Sequence, residues 1–272
     1  MFYRKGTISV PGAPGEAELT LYAPDLEQDN FRSESLRPAL VICPGGAYCY
    51  TSDREAEPVA LAFLAKGYNV YVLRYHCAPE ARWPIPQLEL AAAVHTVRQE
   101  AAALRTDPAS VYVMGFSAGG HLAASLGILW AEADWADVLG LRKEDIRPDG
   151  MVLAYPVITS GEKAHAGSFD ALVGKNNPEL RESLSLEKRV TEKAVPAFLW
   201  HTREDDAVPV ENSLWLAAAL SACGVGFELH VYPHGGHGLS LADERTAVDP
   251  AQIVPAIQGW TELADRWMRE AK

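Results

Sequence analysis

Short apolar runs separated by amphipathic segments dominate the chain from about residue 39 onward. The runs are rich in Val, Leu and aromatic residues and nearly continuous, which is typical of strands buried on both faces. This pattern predicts strands over residues 39–43, 69–73, 111–114, 151–154, 197–200 and 227–231. Two shorter strands are expected before them, over 6–10 and 18–22, joined by a turn at the Pro- and Gly-rich residues 11–15.

The segments between the apolar runs carry apolar residues at helical spacing. They predict helices over 55–66, 87–104, 117–130, 211–223 and 250–270, whereas the polar residues 25–37 predict an exposed loop. Strands that alternate with helices indicate an α/β fold, with a mostly parallel sheet covered by helices on both faces. Ligands of such sheets bind at the carboxyl ends of the strands.

Residues 158–195 interrupt this alternation, because they are polar and loop-rich and carry only scattered apolar side chains such as Phe169 and Leu172. We interpret them as a small cap inserted over the carboxyl edge of the sheet, within a single domain spanning 1–272. An ordinary crossover connection with irregular helices is the alternative.

Composition narrows the class of protein further. The 272 residues suffice for one large domain, and a net charge of −12 disfavours nucleic acid and anionic membrane surfaces as partners. Neither a signal peptide nor a membrane-spanning apolar stretch is evident. Four cysteines match neither a zinc site nor a disulfide scaffold, so free thiols in a soluble, cytoplasmic protein are expected: Cys43, Cys49, Cys77 and Cys223. The sequence leaves open whether the chain forms a homo-oligomer.

The sequence Gly115-Phe116-Ser117-Ala118-Gly119 directly follows a predicted strand and opens a predicted helix. A G-x-S-x-G pattern in this context places a serine in a sharp, strained turn with its hydroxyl exposed. Residues two positions away on either side must be small to avoid a collision across the turn, and glycine occupies both positions. Ser117 is therefore the candidate nucleophile.

A serine hydroxyl needs a nearby base and an orienting carboxylate, which follow the serine in the order acid, then histidine. The acid candidates are Glu204, Asp205 and Asp206, which follow the strand predicted over 197–200. His234 and His237 follow the last predicted strand in a glycine-rich loop. Spacing alone selects neither one acid nor one histidine, and the two histidines without a third ligand are weak evidence for a metal site.

A developing oxyanion would need backbone N–H donors. Ala118, the residue after the serine, would supply one N–H donor. The Gly-rich loop at residues 44–48, which follows the strand predicted over 39–43, should supply another.

With these motifs the chain resembles the α/β-hydrolase superfamily, and more closely the acetyl esterase and acetylxylan esterase-like carbohydrate esterases related to the hormone-sensitive-lipase and dienelactone-hydrolase groups. The similarity extends from about residue 39 to 242. It implies that Asp205, in D-x-x-V-P, is the acid and that His237, in G-x-H-G, is the base. It maps the oxyanion donors to Gly46, Ala47 and Ala118.

The chain departs from the His-Gly-Gly-Gly motif of the lipase relatives, because Pro44 replaces the histidine and Ala47 the third glycine. A backbone donor survives this change, while the extra methyl group favours short acyl groups. Arg54, Glu55 and Glu57 match the family pattern, with a buried ion pair as their expected role. His121 is expected to serve packing or hydrogen bonding, and His201 to brace the acid loop.

The resemblance implies a serine carboxylic-ester hydrolase that deacetylates sugars or other short-chain esters through Ser117, His237 and Asp205, with no cofactor and no metal. Its partner would be a small-molecule ester. A peptidase or amidase of the same fold and a non-catalytic binding protein are the alternatives. The former would need an anchor for a charged N-terminus, and the latter usually lacks a triad residue.

Overall fold

The computed structural model describes residues 1–25 and 36–270. Eight strands of the described ranges form one sheet in the order β1-β2-β4-β3-β5-β6-β7-β8. The strands are β1 (Phe2–Ile8), β2 (Ala17–Ala23), β3 (Arg37–Cys43), β4 (Asn69–Arg74), β5 (Thr106–Phe116), β6 (Gly150–Ala154), β7 (Ala197–Thr202) and β8 (Phe227–Tyr232).

The six strands β3 to β8 run parallel, and β2 pairs antiparallel with both β1 and β4 at one edge. Successive residues of β3 show why its apolar run is continuous. Leu40 and Ile42 pack into the core on one face of the sheet, while Val41 and Cys43 pack into the core on the other. A strand with two buried faces has no solvent-exposed side on which a polar residue would be favoured.

The described residues also contain nine α-helices, and none is long and apolar enough to cross a membrane. The helices are α1 (Glu57–Ala65), α2 (Ile85–Gln99), α3 (Ala118–Leu129), α4 (Trp135–Leu139), α5 (Lys143–Ile146), α6 (Ala166–Val173), α7 (Pro178–Ser183), α8 (Glu211–Ala222) and α9 (Trp260–Glu270). Buried side chains of α1 and α9 share one core cluster, and those of α2, α3 and α8 share the other. The predicted two-faced α/β architecture is confirmed.

Several predicted boundaries are wrong for identifiable reasons. The helix expected over 250–270 is regular only in α9, because Pro255 cannot donate a backbone hydrogen bond and Gly259 weakens the segment before it. Helix α2 ends at Gln99, and a turn at Arg105, with φ of 50°, leads directly into a longer β5. Helices α4 and α5 were not predicted. Of the loop expected over 25–37, residues 26–35 lie outside the described residues, and Arg37 already belongs to β3.

Residues 158–195 connect β6 to β7 through α6, α7 and a 3-10 turn at Leu186–Lys188. Their apolar residues are well buried and join the core cluster that also holds α2 and α3; they include Phe169, Leu172, Leu184 and Leu186. The segment is therefore packed onto the domain beside the carboxyl end of β6.

Candidate active site

Ser117 lies between the end of β5 and the start of α3, with φ of 52° and ψ of −119°. A non-glycine residue in such a conformation costs about 1–3 kcal/mol and persists only where its surroundings hold it. Here the Ser117 N–H donates to the Ala154 carbonyl at 3.1 Å, and the Val157 N–H donates to the Ser117 carbonyl at 3.0 Å. The turn is thus anchored to the end of the neighbouring strand β6.

The flanking glycines are required by close backbone contacts across this turn. A Cβ atom on Gly115 would lie 2.0 Å from the Gly119 carbonyl oxygen, and one on Gly119 would lie 2.1 Å from the Cys43 carbonyl oxygen. These contacts agree with the small flanks inferred from the motif. The second contact also shows that the loop after β3 lies directly against the turn that carries Ser117.

His237 links Ser117 to Asp205. Its Nε2 lies 2.8 Å from the Ser117 hydroxyl and its Nδ1 lies 2.7 Å from Oδ2 of Asp205. The three residues come from loops after β5, β7 and β8, whose carboxyl ends meet at one edge of the sheet. Ser117 is 7% exposed, and the His237 side chain is 22% exposed.

The Asp205 carboxylate is held by its own loop. Oδ1 accepts backbone N–H bonds from Ala207 and Val208 at 3.0 and 2.8 Å, and Oδ2 also lies 3.3 Å from Nε2 of His201. Burial opposes the charge, but hydrogen bonds from His201 and His237 hold the pKa of Asp205 well below its usual range. An ionised carboxylate only accepts hydrogen bonds, so the proton of His237 resides on Nδ1. Nε2 is then available to accept the Ser117 hydroxyl.

The other acid and histidine candidates lie outside this arrangement. Glu204 pairs with Nδ1 of His234 at 3.0 Å, and the His234 side chain is 78% exposed. Asp206 is exposed. No group of three or more His, Cys, Asp or Glu residues within the described ranges could hold a metal ion.

The three predicted oxyanion donors border the serine. The N–H of Ala118 opens α3, where no intrahelical acceptor exists. Gly46 and Ala47 have positive φ values of 131° and 56°, which turn the loop sharply beside the serine. A Cβ atom on Gly45 would lie only 3.0 Å from the Ser117 Cβ. The N–H groups of Gly46, Ala47 and Ala118 meet no acceptor within the described residues, so they are available to an anion.

Two buried histidines have the supporting contacts expected from the sequence. His201 Nε2 lies 2.9 Å from the Val208 carbonyl, which braces the Asp205 loop. His121 Nδ1 lies 2.9 Å from the Tyr48 hydroxyl, and its Nε2 lies 3.0 Å from the carbonyl of Leu184. His121 therefore links the loop at residues 44–48, α3 and the 158–195 segment.

The buried ion pair expected among Arg54, Glu55 and Glu57 is wrong. Arg54 instead donates to the carbonyls of Gly238 and Thr246, and among the described residues no carboxylate forms an ion pair with it. Glu55 accepts hydrogen bonds from the Gly45 N–H and the Tyr155 hydroxyl. The Arg54 guanidinium thus donates to backbone carbonyls of the loop that carries His237 and of the segment that follows it. The sequence could not reveal these contacts, because adjacent opposite charges suggest an ion pair instead.

Sequence reasoning missed Tyr155 and His165. The Tyr155 ring packs edge-on against His237 with centroids 5.1 Å apart. Its position directly after β6, at the carboxyl edge of the sheet, was the available signal. His165 lies in the 158–195 segment, where burial lowers its pKa and the nearby His237 lowers it further. The same segment contacts His121 of α3 through the Leu184 carbonyl.

The sheet order, the strained serine turn and the similarity to solved hydrolase structures define a member of the α/β-hydrolase superfamily. The BD-FAE family model matches residues 21–220, and the chain belongs to that family.

Three similar proteins refine the relationship. The chain is 35% identical over 232 residues to endo-1,4-beta-xylanase B of Butyrivibrio fibrisolvens, covering 82% of this chain and 36% of that protein. It is 29% identical over 210 residues to an acetylxylan esterase of Xylanibacter ruminicola, covering 75% of this chain and 41% of that protein. The crystal structure of an acetyl ester-xyloside bifunctional hydrolase from Caldicellulosiruptor lactoaceticus superposes with a TM-score of 0.80 at 38% identity, covering 96% and 90% of the two chains. The chain thus spans well under half the length of the two curated relatives, the xylanase and the acetylxylan esterase.

Proposed function

We propose that this protein is a serine carboxylesterase that removes acetyl and other short acyl groups from acetylated sugars, including xylo-oligosaccharides. Ser117 is the nucleophile, His237 the general base and Asp205 the orienting acid. The observation that carries the proposal is the chain of two short hydrogen bonds through His237, beside N–H groups that have no acceptor in the described protein.

In the acylation step the Ser117 oxygen attacks the ester carbonyl carbon while its proton passes to Nε2 of His237. The carbonyl oxygen becomes an oxyanion, which accepts hydrogen bonds from the N–H groups of Gly46, Ala47 and Ala118. Asp205 stabilises the imidazolium that forms. The intermediate then collapses, the C–O bond to the alcohol breaks, and the departing alkoxide takes the proton from Nε2.

Deacylation repeats the sequence with water. Nε2 of His237 removes a proton from a water molecule as its oxygen attacks the acyl carbon. A second oxyanion forms in the same place and collapses, breaking the bond to the Ser117 oxygen, which regains the proton from Nε2. The carboxylic acid leaves and the free serine is restored. Every proton and electron pair is accounted for without a cofactor.

Two features support a small acyl group on a sugar alcohol. The relatives named above include an acetylxylan esterase and an acetyl ester-xyloside hydrolase. Ala47 adds a methyl group to the loop beside the serine, which restricts the room for a long acyl chain. We further propose that residues 158–195 act as a cap of the single domain, since Leu184 of this segment contacts His121, which in turn contacts Tyr48 in the loop at residues 44–48.

The decisive experiment on the mechanism is Ser117→Ala. We expect turnover of p-nitrophenyl acetate to fall on the order of 10³-fold or more, with the unfolding midpoint little changed. Ser125→Ala is the matched control, because its buried hydroxyl donates to the His121 carbonyl within α3 and takes no part in the proposed chemistry. Near-normal activity of Ser117→Ala, or no labelling of the native enzyme by a fluorophosphonate, would refute the proposal. The second result is the one expected of a non-catalytic binding protein.

A substrate panel tests the acyl and alcohol groups. We expect hydrolysis to peak at acetyl to butyryl esters, and acetylated xylo-oligosaccharides to be deacetylated. A maximum at acyl chains of eight or more carbons would contradict the short-acyl proposal. An aminoacyl anilide cleaved faster than p-nitrophenyl acetate would instead indicate a peptidase or amidase. The cytoplasmic location and a homo-oligomeric state stay predictions from the sequence.

A further inference from the structure

Glu55 is a buried carboxyl group that touches two parts of the site without lying in the proposed reaction path. It is 5% exposed. Its Oε2 accepts the Gly45 N–H at 2.8 Å, and Gly45 directly precedes two of the proposed oxyanion donors. Its Oε1 accepts the Tyr155 hydroxyl at 2.7 Å. Each carboxyl oxygen thus holds a different loop.

Tyr155 carries this connection on to the histidine. Its hydroxyl donates to Glu55 and accepts the N–H of Ser240 at 2.9 Å, three residues after His237. Its ring packs at an interplanar angle of 72° against the His237 imidazole. Tyr155 also has φ of 38°, a conformation that costs free energy and persists only where contacts over-determine it.

The loop that carries His237 has a second attachment to the same short segment. The Ser240 hydroxyl donates to the Arg54 carbonyl at 2.7 Å, and the Arg54 guanidinium donates to the Gly238 carbonyl at 2.9 Å. The 3-10 turn at Asp53–Glu55 therefore contacts the loop that carries Gly46 and Ala47 on one side and the loop that carries His237 on the other.

A carboxyl group in this place costs free energy. Burial raises the pKa of Glu55, and no cation forms an ion pair with it in the described part of the chain. An apolar side chain would avoid the desolvation penalty, which is several kcal/mol for an unpaired ionised carboxylate. Neither an apolar residue nor an amide could accept one hydrogen bond at each of two oxygens.

We propose that Glu55, together with Tyr155, is a positioning residue for the esterase reaction. It holds the loop of Gly46 and Ala47 and the loop of His237 at a set distance from Ser117. The inference rests on the proposed function. Because the oxyanion and the imidazolium form only after the substrate has bound, in the transition state and the tetrahedral intermediate, loosening either loop should reduce kcat and leave KM nearly unchanged.

Glu55→Gln and Tyr155→Phe test the proposal. The amide introduced by Glu55→Gln has a single acceptor oxygen, so either the Gly45 N–H or the Tyr155 hydroxyl loses its acceptor, whereas Tyr155→Phe removes one hydroxyl and keeps the ring contact. We expect kcat for p-nitrophenyl acetate to fall on the order of 10- to 100-fold in each variant, with KM within about threefold. Binding of a boronic acid, which forms a tetrahedral adduct with the serine, should weaken in the same proportion.

Tyr112→Phe is the matched control. The Tyr112 hydroxyl is also buried and donates to the Met268 carbonyl in the core that holds α9, away from the serine turn. Its loss should lower the free energy of unfolding by an amount similar to Tyr155→Phe, with kcat unchanged. A purely structural role for Glu55 would make both Glu55→Gln and Tyr155→Phe behave like this control.

The proposal is overturned if Glu55→Gln and Tyr155→Phe are folded and keep kcat and boronic acid affinity within about threefold of the native values. Tyr155→Phe alone decides the question if Glu55→Gln does not fold. An inactive Ser117→Ala beside fully active Glu55→Gln and Tyr155→Phe overturns this inference only. An active Ser117→Ala overturns the proposed function itself.

Discussion

Oδ2 of Asp205 lies 2.7 Å from Nδ1 of His237, while Oδ1 of the same carboxylate accepts two backbone N–H bonds from its own loop. The orientation of the carboxylate is therefore fixed by its own loop, independently of the imidazole. Because its pKa is held well below the usual range, chiefly by His201 and His237 against the effect of burial, it stays ionised across the pH range of ester hydrolysis.

Asp205→Asn should abolish most of the activity while keeping the shape of the side chain. An asparagine can present its NH₂ group to Nδ1, which favours the tautomer with the proton on Nε2 and removes the acceptor for the Ser117 hydroxyl. We expect kcat to fall on the order of 10³- to 10⁴-fold. Asp206→Asn, at the exposed neighbouring carboxylate, is the control and should keep full activity. The reverse pattern would show that the wrong acid has been assigned.

The fold and the serine were predictable because their signals are local. Each buried strand is a short apolar run, and the residues at positions 115–119 indicate the geometry of the turn by themselves. The choice of Asp205 over Glu204 and Asp206, and of His237 over His234, needed the family resemblance. It depends on the path of two loop backbones, which spacing does not reveal.

The partners of Glu55 could not be predicted from the sequence. Tyr155 lies 100 positions further along the chain and meets Glu55 only through the packing of loops after different strands. The adjacent Arg54 suggested an ion pair, whereas its guanidinium satisfies backbone carbonyls 184 and 192 positions away. Long-range hydrogen bonds between irregular segments leave no periodic pattern, so sequence patterns report the strands better than the connections between their ends.

His121 should make the protein less stable in mild acid. Its ring is fully buried between the Tyr48 hydroxyl and the Leu184 carbonyl, and burial lowers its pKa from 6.5 to about 4. The folded state therefore does not bind a proton that the unfolded state binds. The free energy of unfolding should decrease as the pH falls from 6.5 to 4, by about 3 kcal/mol in total from this group.

Urea unfolding of the native protein and of His121→Gln between about pH 4 and pH 7.5 measures this contribution. The variant cannot titrate at this position, so the difference in unfolding free energy between the two proteins should change with pH in the 4 to 6.5 window and be constant above it. A difference that is independent of pH throughout would show that His121 binds a proton equally well in both states.

Gly119→Ala should disrupt the serine turn. The added Cβ would lie 2.1 Å from the Cys43 carbonyl oxygen and 2.4 Å from the Pro44 carbonyl oxygen, and both neighbours are backbone atoms that cannot rotate away. We expect a loss of roughly 3 kcal/mol or more in the free energy of unfolding, with activity lost as the loop after β3 shifts.

Gly226→Ala is the comparison for that substitution, because a Cβ atom there has nothing within 4 Å. Its stability should stay within about 0.5 kcal/mol of the native protein, and its activity should be normal. Equal unfolding midpoints in urea for the two alanine variants would mean that the backbone at Gly119 adjusts at little cost.

Tyr50 should contribute to recognition of the sugar rather than to the chemical step. Its N–H donates to the Gly46 carbonyl at 3.2 Å, so it directly follows and contacts the loop at residues 44–48, and the residue is 63% exposed. An exposed aromatic ring beside Gly46, one of the proposed oxyanion donors, offers a flat apolar surface to the C–H face of a pyranose. Tyr50→Ala should therefore raise KM for an acetylated xylo-oligosaccharide about three- to tenfold. The same variant should hydrolyse p-nitrophenyl acetate with kcat/KM within about twofold of the native value, because this substrate has no sugar for the ring to contact.

Trp215→Ala, at an exposed aromatic residue of α8, is the control and should change the kinetics of neither substrate. An equal loss of kcat/KM on both substrates in Tyr50→Ala would show that Tyr50 maintains the shape of the loop that carries Gly46 and Ala47. No loss on either substrate would show that Tyr50 takes no part in the site.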